Sequence, residues 1–69
     1  MASHITLKVE GMNDKTAALE VINSLRKYSG VLEVNVDPEN EKVAVKYDPN
    51  NIIAEDLKQT IEDAGYRVD

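Results

Sequence analysis

At 69 residues, with 13 Asp and Glu against 8 Lys and Arg, the chain has a formal net charge of −5 and length enough for one small domain. With zero cysteines it can form neither a disulfide nor a thiolate metal site, so its stability must come from tight packing. The acidic balance argues against nucleic-acid backbones and anionic membrane surfaces as partners, and is read first as a device for solubility.

In chain order, residues 4–10, HITLKVE, alternate: Ile5, Leu7 and Val9 face one way, Thr6 and Lys8 the other. That is the pattern of a half-buried strand. Met1 to Ser3 are a candidate leader ahead of the domain, residues 1–69 otherwise reading as a single unit. No apolar run approaches the ~20 residues of a membrane span, and the alternation leaves no signal-peptide core. Absence of cysteine suits a reducing cytosol, so a cytoplasmic location is expected. Gly11 breaks the strand, and from Lys15 the period lengthens. Ala18, Val21, Ile22, Leu25 and Tyr28 recur at helical steps, with Asp14 or Asn13 available as N-cap. Arg26 and Lys27 suit the C-terminal dipole, and Ser29-Gly30 stops the helix.

Strand spacing resumes in VLEVNV, with Leu32, Val34 and Val36 in phase. The polar DPENEK is a turn, and VAVKY follows with Val43, Val45 and Tyr47 alternating against Ala44 and Lys46, which predicts an antiparallel hairpin. After DPNN, a second amphipathic helix carries Ile53, Leu57, Ile61 and Ala64, with Glu55 and Asp56 in its first turn. Gly65 ends it, and YRVD is a last short strand. The order is βαββαβ, and SGVLEV after the first helix is echoed in spacing by AGYRVD after the second. Two such units with right-handed crossovers give a four-stranded antiparallel sheet with both helices on one face, the ferredoxin-like α+β sandwich. That fold hosts many functions and decides none.

The series ITLKVEGM, GVLEVNV, VAVKYDPN and LKQTIEDAGY, from about Ile5 to Val68, resembles the heavy-metal-associated domain. This family includes small bacterial copper chaperones and the N-terminal domains of copper- and other soft-metal-transporting ATPases. The resemblance implies a G-M-x-C-x-x-C loop whose two cysteines bind copper(I) or a similar soft ion. Here Gly11 and Met12 match and Asn13 takes the variable place, but the cysteine positions hold Asp14 and Ala17. A carboxylate is a hard donor and Ala17 offers none, so copper(I) carriage is disfavoured and no cofactor is expected. Met12, which the resemblance places beneath the loop, is at best a weak ligand. Asp14 is instead expected to cap the helix and Ala17 to favour its first turn, giving an ordinary capped helix start.

Other candidates carry less. His4, the only histidine, sits at the end of its strand remote from the loop and is expected to face solvent. Tyr66 matches a tyrosine that the family's bacterial chaperones often carry near the metal, and is expected to pack over the loop beside Met12. Asp37, Glu39 and Glu41 form an acidic turn, but Pro38 and the lack of a glycine-centred ligand loop favour a solvated hairpin over calcium. There is no catalytic triad or phosphate-binding glycine loop, and Arg26 with Asn23 poorly matches the acylphosphatases that share the fold, so no enzyme activity is expected.

Three functions remain open. The first is a docking or structural module that works through Gly11, Met12, Asn13, Asp14, Lys15, Ala17 and Tyr66. Its partner would be another heavy-metal-associated-type domain or a metal-transporting ATPase, with the chain itself a monomer. The second is an altered metal site around Asp14, and the third an engineered cysteine-free scaffold.

Overall fold

Local patterning becomes tertiary structure with few departures in a computed structural model that describes residues 1–69. The elements are β1 (Ser3–Glu10), α1 (Lys15–Arg26), β2 (Val31–Asp37), a 3-10 turn (Pro38–Asn40), β3 (Lys42–Tyr47), α2 (Ala54–Asp63) and β4 (Arg67–Val68). The strands form one antiparallel sheet in the order β2-β3-β1-β4. Its cross-strand register sets Leu7 opposite Val43, Ile5 and Val34 opposite Val45, and Val36 opposite Val43. Because side chains alternate, one face is apolar while Thr6, Lys8 and Ala44 stay exposed on the other.

Both helices cover the apolar face. Ala17, Ala18, Val21 and Leu25 of α1 join Leu57 and Ile61 of α2 in one core with Leu7, Val9, Val43 and Val45. Each fully buried aliphatic side chain contributes about 1.5–3 kcal/mol relative to exposure. This is the ferredoxin-like architecture expected from the element order.

The departures have local causes. Leu32 was expected in phase with Val34 and Val36, but it is 56% exposed. Val31 pairs with Tyr47 and Glu33 with Lys46, so Leu32 has no partner of its own and a bulge hands the inner position to Val31. Ile53 was expected in the core and is also 56% exposed, whereas Ile52 is only 4% exposed. The helix starts one residue later than the pattern suggested: Ile53 is its N-cap, with extended backbone at φ −109° and ψ 161°. Extended backbone alternates, so Ile52 turns inward instead. Tyr28 lies beyond the end of α1 and is exposed, its hydroxyl 3.0 Å from that of Thr60. Ser3, read as leader, pairs with Tyr47 at the start of β1.

Gly30 shows why the turn after α1 needs its smallest residue. A Cβ there would lie 2.9 Å from Ile52 Cγ2 and 3.0 Å from Asn51 Cβ. The close approach lets the Gly30 carbonyl accept from Asp48 N at 2.8 Å, tying the start of β2 to the turn before α2.

Candidate functional site

The connection from β1 to α1 begins with Gly11 at φ 93°, a left-handed conformation natural to glycine. The turn then drives Met12 into the core, where it is 0% exposed. Asn13, Asp14 and Lys15 return to the surface. Asp14 has extended backbone and is the N-cap of α1: its Oδ1 accepts from the Ala17 backbone N–H at 2.8 Å. This satisfies one of the donors left free in a helix's first turn and sets a carboxylate at the positive end of the dipole. Ala17 packs its methyl into the core at 8% exposure.

Two other elements hold this loop. Glu41, the residue after the 3-10 turn, accepts from Gly11 N through Oε2 at 2.8 Å and from Val9 N through its carbonyl at 2.7 Å. From the far side comes Tyr66, just before β4. Its ring lies 3.5 Å from where a Cβ on Gly11 would stand, and its hydroxyl donates to Glu20 Oε2 of α1 at 2.7 Å. The bond to Glu20, partial burial, and the negative charges of Glu20 and Asp14 raise the Tyr66 pKa above 10.0. The phenol therefore stays a neutral donor at physiological pH.

The structure thus brings Gly11, Met12, Asn13, Asp14, Lys15, Ala17 and Tyr66 to one end of the molecule, but Met12 and Ala17, expected in a docking patch, lie in the core beneath it because the turn at Gly11 and the helix face direct them inward. His4 sits opposite Lys46, far along β1 from Glu10. Two residues at the site carried no sequence signal. Tyr66 and Glu20 are 46 residues apart, and Glu20 reads only as part of a polar helix face. Glu41 was expected to belong to a solvated hairpin, yet its side chain is committed to Gly11 across 30 residues. Asp37 and Glu39 do belong to the polar turn, where Asp37 caps the 3-10 segment through Asn40.

Soft cations such as copper(I) select thiolates and thioethers. The loop offers no thiolate, its one thioether is buried on Met12, and the Asp14 carboxylate is engaged by Ala17. Nowhere do three His, Asp or Glu side chains converge into a group able to hold a metal ion. The residues present do not fit a soft-metal cargo.

The profile of the heavy-metal-associated domain matches residues 6–67. The chain belongs to the heavy-metal-associated domain family. It is 39% identical over 62 residues to the copper chaperone CopZ of Staphylococcus haemolyticus, covering 90% of this chain and 91% of that one. Among solved structures it is similar to a CopZ metallochaperone, with a TM-score of 0.93 and 36% identity over 97% of this chain and 100% of that one. A copper binding domain from HMA7, a P-type ATPase, gives a TM-score of 0.92 and 32% identity over 100% of this chain and 92% of that one. The water-soluble region of the P-type ATPase CopA from Bacillus subtilis gives 0.93 and 31% over 99% of this chain, which spans 45% of that longer one.

Proposed function

We propose that this heavy-metal-associated domain is a non-catalytic docking or structural module that carries no soft-metal cargo. The observation that supports it is the 2.8 Å bond between Asp14 and Ala17. The two ligand positions of the family's loop are here joined to each other as a helix cap. The surface formed by Asn13, Asp14, Lys15 and Tyr66 at this end of the domain, above the buried Met12, is the face offered to a partner. Its relatives include a copper chaperone and a copper binding domain of a P-type ATPase, so the partner class is another heavy-metal-associated-type domain or a metal-transporting ATPase. A monomer acting in the cytoplasm goes with this reading.

The test is a pair of NMR titrations of the labelled domain. Copper(I), zinc and calcium are expected to leave the amides of Gly11 to Thr16 unmoved, while the metal-free heavy-metal-associated domain of a P-type ATPase shifts Met12 to Lys15 and Tyr66. Saturable metal shifts abolished by Asp14→Ala would replace this reading with an altered metal site. Flat titrations with such partner domains would remove the docking role.

A further inference from the structure

Glu41 is the only residue other than glycine with positive φ, at 55°. A left-handed conformation is unfavourable for an L residue with a long side chain, and hairpin turns ordinarily fill it with Gly or Asn. An unfavourable conformation that persists is held by its surroundings. Here two bonds hold it: the Glu41 carbonyl accepts from Val9 N at 2.7 Å and its Oε2 from Gly11 N at 2.8 Å. One residue of the β2–β3 turn thereby grips the chain on both sides of Glu10. The second bond falls on the residue that starts the first loop, itself in a left-handed conformation at φ 93°.

We infer that Glu41 is a positioning residue for the first loop: its carboxylate straps Gly11 to the β2–β3 turn and so fixes the path that buries Met12 and presents Asn13 to Lys15. Together with the Asp14 cap and the Tyr66–Glu20 bond, it makes the loop's shape a property of the chain's own contacts. The bond is charge-assisted, since an ionised carboxylate accepts from a backbone N–H. The bearing of this strap on docking rests on the function proposed above, but the strap itself does not.

Glu41→Gly separates the strap from the backbone conformation. It removes the carboxylate and leaves in place a residue at ease with positive φ, so the thermal midpoint is expected to move by no more than about 5 °C. Glu41→Gln keeps an acceptor oxygen at the same reach. Amide exchange of the labelled full chain should quicken about tenfold at Gly11 in Glu41→Gly, stay within about threefold of wild type in Glu41→Gln, and remain unchanged at Val21 and Leu57. Unchanged exchange at Gly11 in Glu41→Gly, or an equal rise at Val21 and Leu57, would overturn the strap. A partner-binding arm with the same variants keeps the two readings apart. If wild type binds no partner domain, the docking role fails while the exchange result still decides the strap.

Discussion

The Oδ1 atom of Asp14 accepts from the backbone N–H of Ala17 at 2.8 Å, bonding together the two residues that the motif resemblance sets at the cysteine positions. In the thiolate version of such a loop the positive end of the helix dipole would favour charged sulfur. In this chain the same field falls on a carboxylate that needs no ion to stay in place. Asp14→Ala should therefore lower stability by about 1 kcal/mol, with Asp14→Asn or Asp14→Ser retaining most of it. Urea unfolding at constant m-value would measure the difference. An equal loss in all three variants would mean that the cap is not the source.

Supplying two cysteines should create a copper(I) site on this loop. Replacing Asp14 and Ala17 together by cysteine puts two thiols at the spacing of the family motif, next to a helix N-terminus that lowers their pKa. The double variant is expected to bind copper(I) tightly under reducing conditions, and the parent not to compete with it for the ion. A double variant that folds but ignores copper(I) would show that more than the two ligands has been lost.

Tyr66 provides a prediction in alkaline solution. Its folded-state pKa lies above 10.0, chiefly because it donates to Glu20. The protonated phenol thus adds stability that is fully present below the unfolded-state pKa, about 10, and is lost as pH climbs through the raised value. Glu20→Ala removes the acceptor and its charge, and should bring the Tyr66 ring resonances to titrate at lower pH. An unmoved midpoint would assign the shift to burial and Asp14 instead.

Neighbouring isoleucines should answer substitution very differently. Ile52→Ala empties a core position that is 4% exposed and should cost about 2–5 kcal/mol. Ile53 is an apolar N-cap that is 56% exposed, with no side-chain bond to the helix. Ile53→Ser should raise stability by about 0.5–1 kcal/mol by supplying the missing acceptor. Thermal unfolding of the two variants would check both signs, and a loss at Ile53→Ser would indicate that its contacts outweigh the cap.

That pair also shows what the sequence could and could not disclose. Strict alternation in β1 and β3 and the helical recurrence of Ala18, Val21 and Leu25 rest on local periodicity, and each became the element expected. The cap at Asp14 was legible because N-capping is a contact within one turn. Ile52 and Ile53 are adjacent and chemically identical, so only the observed helix start, with Ile53 as N-cap, could say which turns inward. Leu32 misled for a similar reason, since a bulge shifts phase without a mark in composition. At the site, the loop itself could be read from its motif, while Glu20 and Glu41 could not. Their partners lie 46 and 30 residues away, and a polar residue on a polar face gives no sign of a distant bond.

The unpaired Leu32 bears on how the chain meets copies of itself. β2 lies at one margin of the sheet and the two-residue β4 at the other, and an exposed strand margin is a template for intermolecular β-pairing and aggregation. At Leu32 the ladder slips, so an incoming strand in regular register would lose its match to the margin between Val31 and Glu33. Beyond that point it would run alongside Glu33 and Asp37, on a chain whose net charge of −5 already repels its own kind. The irregularity that exposes a leucine thus also works against edge-to-edge pairing of sheets.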